Sequence, residues 1–250
     1  MRTALVIRLA LFLLLCAFIV APERFASIFA PLASNGAPAI YTQTSLLSLT
    51  LSHLALVATG TIAATIISVG LAILVTRQAG AEFLPLSRSI ANIGQTFPPV
   101  AVLALAVPVF GFGPVPTLIA LFLYGLLPIF ENALTGLSNI APSVTEAARG
   151  VGMTPLQRLV SVELPLALPV ILAGIRLSAV ISLSTATIGS TVAAKTLGEV
   201  IIAGLISSNT AFVLQGGLVV GLLALLIHDA FVMSERALAR RTGRLQPERS

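Results

Sequence analysis

The sequence predicts an all-α protein, a bundle of about six membrane-spanning helices. Hydrophobic residues make up 57% of the 250-residue chain and charged residues only 9%, whereas soluble domains carry about 25% charged residues. The apolar residues are gathered into long continuous blocks and lack the alternation of period two that is typical of membrane β-strands. A polar, partly charged loop separates two of these blocks. Together these features indicate an integral membrane protein.

Six apolar blocks account for the predicted spans. Each is near or above the roughly 20 residues that an α-helix needs to cross about 30 Å of hydrocarbon. The blocks cover residues 4–21, 47–75, 89–110, 114–137, 165–191 and 211–233. We expect three regions: an N-terminal helix with an external linker (1–44), a transmembrane domain (45–235) with a cytoplasmic loop (138–164), and a basic cytoplasmic tail (236–250).

The first block fits two interpretations. Arg2 and Arg8, followed by apolar residues up to Val20, are typical of an uncleaved first span and also of a secretory signal peptide. Leu15 is bulky at the position where a lipoprotein signal carries a small residue before its cysteine, here Cys16. We favour the uncleaved span. Either interpretation leaves the polar loop on the same side of the membrane.

The basic residues predict the orientation of the spans. With six spans and both termini in the cytoplasm, 11 of the 14 lysine and arginine residues fall on the cytoplasmic side, as the positive-inside rule requires. These are Arg2, Arg8, Arg77, Arg88, Arg149, Arg158, Arg236, Arg240, Arg241, Arg244 and Arg249. The sequence pI of about 10.7 is explained by this topology, and a nucleic-acid partner is not expected.

The polar loop predicts a short exposed helix. Ser143 and Glu146 stand three residues apart, which is the spacing of a capping box, so a helix is expected to begin after Pro142. Small side chains follow Glu146, and Gly152 permits a sharp change of direction. A short helix of this kind can dock in a groove of a partner protein.

The spacing within the loop resembles a signature of binding-protein-dependent ABC transporter permeases. That signature is EAA, three residues, Gly, nine residues and I-x-LP; here Val162 stands in place of Ile. The resemblance implies a type I ABC importer permease (MetI-like) fold in the bacterial inner membrane. It also implies contacts with a separate cytoplasmic ATPase. The matching positions are Glu146, Ala147, Ala148, Gly152, Leu164 and Pro165.

The same resemblance implies the partners and the mechanism. Two permease subunits, identical or closely related, would form the passage, with two ATPase subunits beneath them and a periplasmic binding protein outside. ATP binding would close the ATPases, and the loop would transmit that movement to the fifth block. The permease itself would be non-catalytic.

A wider resemblance, from about Ser45 to Glu235, is to permeases of the osmoprotectant group, which import glycine betaine, choline or related quaternary amines. It rests on 53–57, 95–98, 163–169, 174–176 and 197–199. Lys195 and Thr196 depart from the glycine pair that much of the group carries, so an amino acid or another quaternary amine is an alternative solute. The chain has no Trp, which indicates that tight selection of a quaternary amine belongs to the binding protein.

Polar residues near the predicted kink of the third block and in the fifth block are candidates for the translocation pathway. Interhelical hydrogen bonding in a packed bundle explains them equally well. They are Asn92, Gln95, Thr96, Pro98, Ser182 and Thr185. Arg176 is either deep in the membrane or, if residues 165–174 lie along its surface, an interfacial anchor; we favour the anchor.

No catalytic, cofactor or metal site is expected. His53 and His228 lie in different blocks without a cluster of ligands at metal-binding spacing. Glu131 is the only serious candidate for the membrane carboxylate that an ion-coupled carrier would use. An ion-coupled carrier is therefore the weaker alternative, and an assembly factor is another.

Overall fold

Helices joined by short turns make up the protein. The computed structural model describes residues 2–33 and 36–241, and no β-strand occurs within those ranges. Four described helices are each long and apolar enough to cross a membrane: α3 (Leu46–Val75), α6 (Pro114–Ser138), α9 (Leu164–Ile188) and α11 (Thr210–Arg241). The expected all-α membrane bundle is thus confirmed. Residues 242–250 of the expected basic tail lie outside the described residues.

Two further candidate spans are bent helix pairs. α1 (Arg2–Val20) continues through short turns that contain α2 (Ala26–Phe29), with a bend of 110°. α4 (Leu84–Thr96) and α5 (Pro99–Phe110) meet at 94°. The sequence predicts a kink at Pro98, but the change of direction is close to a right angle. The described chain therefore has four continuous spans, or up to six if each bent pair counts as one.

Three short helices complete the set. α7 (Pro142–Gly150) and α8 (Pro155–Arg158) lie in the polar loop, and α10 (Gly198–Ile206) precedes α11. A π-helical turn, Leu159–Glu163, joins α8 to α9. Such turns are rare and are found mostly as single turns at functional sites.

The chain divides into two compact units. The first comprises Met1–Gly60, Pro98–Leu121 and Val180–Ile227, and the second comprises Thr61–Phe97, Phe122–Ala179 and His228–Ser250. Each of the four long helices therefore contributes residues to both units. The polar loop, with α7 and α8, belongs entirely to the second unit.

The first unit is held by an apolar core and by side-chain bonds to a linker. Residues of α1, α2, α3, α6, α9, α10 and α11, together with Ile40 and Tyr41 of the linker, form the core. The linker before α3 has irregular backbone, whose polar groups need partners away from water. Asn209 Nδ2 donates to the Pro38 carbonyl at 2.9 Å, and Gln215 Nε2 donates to the Ala39 carbonyl at 2.6 Å. The buried Gln215 also accepts from the Tyr41 amide at 3.1 Å.

His53 is a structural residue of the first unit. Its ring is fully buried, its Nδ1 accepts from the Leu197 amide at 3.3 Å, and its Nε2 lies 3.0 Å from the Leu183 carbonyl. A carbonyl can only accept, so the imidazole is neutral and carries its proton on Nε2. This position ties α3 to α9 and to the turn before α10.

The second unit packs helices closely at glycines. Gly174 of α9 faces α6, where an added Cβ would lie 2.7 Å from the Asn132 Cβ and 2.8 Å from the Pro128 carbonyl oxygen. Small residues at such contacts allow two membrane helices to approach each other. At Gly70 of α3, by contrast, an added Cβ would meet nothing within 4 Å.

Arg176 lies inside an uninterrupted helix. α9 runs as one helix from Leu164 to Ile188, with Pro169 inside it, and the depth of Arg176 in the membrane stays a prediction. The Arg176 Nε is 2.7 Å from Glu235 Oε1, and its Nη1 is 3.3 Å from His228 Nδ1. A carboxylate of α11 thus compensates the charge of Arg176 in the second unit.

We predict that Gly174→Ala destabilises the protein and that Gly70→Ala does not. The added methyl would overlap backbone that cannot move aside, an overpacking cost of about 1–3 kcal/mol. Gly70→Ala has free space and improves helix propensity. The stability of both variants in detergent is measured as the temperature at which the monodisperse size-exclusion peak disappears. Equal stability of the two would contradict the close approach of α6 and α9.

Candidate functional site

The polar loop of the second unit, residues 138–164, forms a helix–turn–helix surface. Pro142 occupies the first turn of α7, and Ala141 is its N-cap, without a side-chain cap bond. The expected capping box of Ser143 and Glu146 is therefore wrong, because the helix begins two residues earlier than such a box requires. A capping box does occur one helix later, where the Thr154 Oγ1 accepts from the Gln157 amide at 3.3 Å.

Gly152 ends α7 in a left-handed conformation, with φ +81°. Its amide donates to the Arg149 carbonyl at 2.9 Å, and the Met153 amide donates to the Ala148 carbonyl at 3.1 Å. This pair of bonds is a Schellman motif, which satisfies the free carbonyls at a helix end and favours glycine at the left-handed position. The turn expected at Gly152 is therefore confirmed.

The loop presents apolar side chains outwards. Val151 is 76% exposed and Leu156 69% exposed, and Val144 and Val160 are also exposed. Glu146 and Ala147 lie on the exposed surface of α7, whereas Ala148 is buried. The loop therefore exposes several apolar side chains and one carboxylate along one continuous segment.

A buried ion pair fixes the second half of the loop. Glu163 ends the π-helical turn with only 9% of its side chain exposed, and its Oε2 lies 2.6 Å from Arg77 Nη2, just after α3. Leu164 packs partly buried against the core of the second unit, and Pro165 is exposed. The six loop residues expected from the sequence thus lie along one continuous segment, and the Arg77–Glu163 pair ties its end to α3.

The expected pathway residues fall in both units and are described with their own unit. In the second unit, Asn92 is exposed, the Gln95 Nε2 donates to the Tyr124 carbonyl at 3.3 Å, and the Thr96 Oγ1 donates to the Ile93 carbonyl at 2.7 Å. The Tyr124 hydroxyl also donates to the Phe97 carbonyl, next to the bend between α4 and α5.

In the first unit, Pro98 is exposed, Thr185 is half-buried and Ser182 is fully buried. The Ser182 hydroxyl has no hydrogen-bond partner among the described residues. The role of all six residues in a pathway stays a prediction.

The first unit also contains a polar region around Glu199 that the sequence did not predict. Glu199, at the start of α10, accepts on Oε1 from the Tyr41 hydroxyl at 2.8 Å and from the Thr44 hydroxyl at 2.5 Å. Burial and the adjoining carboxylate raise the pKa of Tyr41 to about 12. Tyr41, Glu199 and Phe212 line a cavity of about 700 Å³. Only the Leu-Gly-Glu run at 197–199 hinted at this region.

The fold and the polar loop together define a polytopic membrane protein with an exposed loop of two short helices. A family model described as the inner membrane component of binding-protein-dependent transport systems matches residues 68–244. The chain belongs to this family, the permease subunits of ABC importers. The matched range contains the whole loop.

Relatives and solved structures agree with this assignment. The chain is 39% identical to the osmoprotectant import permease protein OsmY of Salmonella typhimurium, over 80% of this chain and 85% of that protein. It is 37% identical to the choline transport system permease protein OpuBB of Bacillus subtilis, over 77% and 88%. The inward-facing methionine ABC transporter MetNI shares the fold, with a TM-score of 0.69 at 23% identity, over 77% of this chain and 95% of that chain.

We predict that Arg77→Gln costs far more stability than Arg88→Gln. Loss of Arg77 leaves the buried Glu163 carboxylate uncompensated, at a cost of about 3–5 kcal/mol. Arg88 pairs with Glu131 at 2.6 Å, but both side chains are well exposed, at 50% and 38%, so its loss should lower the stability only slightly. Thermal unfolding of both variants in the same detergent tests the contrast, which a similar loss in each would refute.

We predict that Gly152→Ala loosens the end of α7 and that Gly150→Ala does not. A side chain in the left-handed region costs about 1–2 kcal/mol, and in the helical region nothing comparable. The amides of Gly152 and Met153 should exchange hydrogen roughly 5–30 times faster in the first variant. Gly150 has open space around it and is the matched control. Unchanged exchange in both variants would show that the left-handed turn does not hold the loop.

Proposed function

We propose that this chain is the non-catalytic permease subunit of an ATP-driven importer for a small osmoprotectant such as glycine betaine. The substrate class is inferred from the osmoprotectant and choline permeases that it resembles over most of its length. Choline or another quaternary amine is the first alternative, and an amino acid the second. A periplasmic binding protein delivers the solute on this proposal, and a second permease, identical or related, completes the passage.

The observation that carries the proposal is the exposed surface of α7 with its glycine-capped end. Val144, Ala147 and Val151 offer apolar contacts, and Glu146 adds a carboxylate. Such a surface suits a groove on an ATPase, which supplies the energy that this chain lacks. We infer that the loop and both termini face the cytoplasm, since most of the basic residues would then lie there.

The loop is built to transmit movement. Its second half continues through the π-helical turn into α9 without a flexible linker, and Arg77 holds the turn at Glu163. A displacement of α7 would therefore move α9 and the end of α3. On this proposal, ATP binding drives that displacement and opens the passage towards the outside, and hydrolysis resets it.

An ion-coupled carrier would need a carboxylate that can gain and lose a proton or bind a cation inside the membrane. Glu131, the best candidate in the sequence, is paired with Arg88 through two bonds, of 2.6 and 3.1 Å. This pairing favours the ATP-driven mechanism.

We predict that Glu146→Lys abolishes co-purification of the ATPase subunit with the membrane-extracted chain. The substitution reverses the charge on the exposed face of α7 without touching its helix cap. Glu82→Lys is the matched control, because Glu82 is also exposed and is expected on the same side of the membrane. Undiminished ATPase recovery with Glu146→Lys would remove the docking role of α7.

We predict that uptake of labelled glycine betaine by proteoliposomes requires ATP, the ATPase and the binding protein together. The assay reconstitutes all subunits with ATP trapped on the ATPase side. An uncoupler should leave uptake intact while ATP is maintained. Collapse of uptake with the uncoupler would instead identify an ion-coupled carrier, and uptake of amino acids alone would change the substrate class.

A further inference from the structure

A cavity of about 630 Å³ in the second unit adjoins the polar loop. It lies where α3 and α6 end, and residues of α7, α8, the start of α4 and the π-helical turn complete its wall. Its volume falls within the roughly 300–1,000 Å³ typical of ligand pockets. The polar and charged side chains in its lining are Thr76, Arg77, Gln78, Ser138, Thr145, Arg149, Arg158 and Glu163.

The charges in this lining do not balance. Three arginines face one glutamate, and Arg77 already compensates Glu163 at 2.6 Å. Arg149 and Arg158 have no acidic partner among the described side chains. The lining therefore carries two uncompensated positive charges.

Arg158 also carries an unsatisfied donor. Its Nε is buried and has no hydrogen-bond partner among the described residues. Leaving a buried charged donor without a partner is costly, and natural proteins rarely do so without a functional reason. Because this Nε is inaccessible to solvent, a ligand in the cavity would meet the Arg158 side chain through its other guanidinium nitrogens.

The side chains that line the cavity indicate which kind of ligand it can bind. Guanidinium groups present parallel donors that match the oxygens of a phosphate group, and the two free arginines supply the charge. The Ser138 hydroxyl can add a neutral hydrogen bond, whereas the Thr145 hydroxyl already donates to the Pro142 carbonyl at 2.8 Å. We propose that this cavity binds a phosphate group, with Arg149 and Arg158 as its principal ligands.

The position suggests two sources for the same group. Val75 and Ser138 end two membrane-spanning helices, so the cavity lies at the level where lipid headgroups are expected. An anionic phospholipid can supply the phosphate from the bilayer, and free inorganic phosphate can supply it from solution. Either occupant would hold α7 and α8 to the ends of α3 and α6.

The lipid arm of the test uses the full chain in nanodiscs with phosphatidylglycerol or with phosphatidylcholine. The protein is then released from the nanodiscs, and native mass spectrometry counts the lipid molecules that stay bound to it. We expect retained phosphatidylglycerol on the wild type, and roughly tenfold less on Arg149→Gln and on Arg158→Gln, since each removes a charge-assisted bond. Arg240→Gln, an exposed arginine of α11 away from the cavity lining, is the charge-matched control and should retain the wild-type amount.

The second arm titrates inorganic phosphate into the lipid-depleted chain in neutral detergent by calorimetry. Binding that is lost in Arg149→Gln supports the site with phosphate from solution as its source. Arg158→Lys keeps the positive charge but loses the planar guanidinium group that can donate two parallel hydrogen bonds. This variant should therefore bind phosphate more weakly than the wild type and more strongly than Arg158→Gln. If Arg158→Gln does not fold, the exposed Arg149 gives the decisive comparison.

Two outcomes would overturn the proposal. One is equal retention of phosphatidylglycerol and equal phosphate binding by the wild type and Arg149→Gln. The other is an assembled transporter in which Arg158 crosslinks to an ATPase carboxylate and no phosphate group is retained. Neither arm contains solute or hydrolyses ATP, so a negative result leaves the proposed transport function untouched.

Discussion

A carboxylate buried at the start of a membrane helix constrains the loop between α6 and α9. Glu163 sits in the π-helical turn before α9, where little solvent reaches it, and its negative charge is tolerable only beside Arg77. The pair therefore sets the distance between the end of α3 and the beginning of α9. The loop with α7 and α8 leads from α6 to α9, so this pair holds its second end at the end of α3.

The rest of the loop follows from local backbone chemistry. Pro142 and Pro155 each start a helix because their fixed φ suits a first turn and their missing amide is not needed there. Gly152 ends the first of these helices because the Schellman turn requires a positive φ. Proline at two starts and glycine at one end thus turn a segment of about twenty residues into two helices with defined directions.

In the first unit, polar side chains hold the irregular backbone of the linker in place. Asn209 and Gln215 donate hydrogen bonds to carbonyls of the linker that precedes α3. Glu199 accepts hydrogen bonds from the hydroxyls of Tyr41 and Thr44. Irregular backbone in a membrane protein persists only where such partners exist. The linker that these residues hold is therefore a sufficient structural reason for their positions.

The sequence predicted the features that depend on short stretches of chain. The six apolar blocks, the turn at Gly152 and the absence of strands among the described residues all follow from local composition. The right-angle bend at Phe97 was underestimated, because a proline signals a break but the neighbouring helices decide its angle. The capping box was assigned to Ser143 because its spacing also occurs inside a helix that Pro142 has already started.

The ion pairs could not be predicted, because their partners are 43 to 86 residues apart in the chain. Their effect on interpretation is large. Taken singly, Arg176, Glu131 and Glu163 would each be candidates for a functional charge in the membrane. Paired, they become part of the scaffold, and Arg149 and Arg158 remain as the loop's uncompensated charges. Among the described arginines, Arg77 and Arg176 thus hold helices of the second unit in place, whereas Arg149 and Arg158 keep their charge available to a ligand.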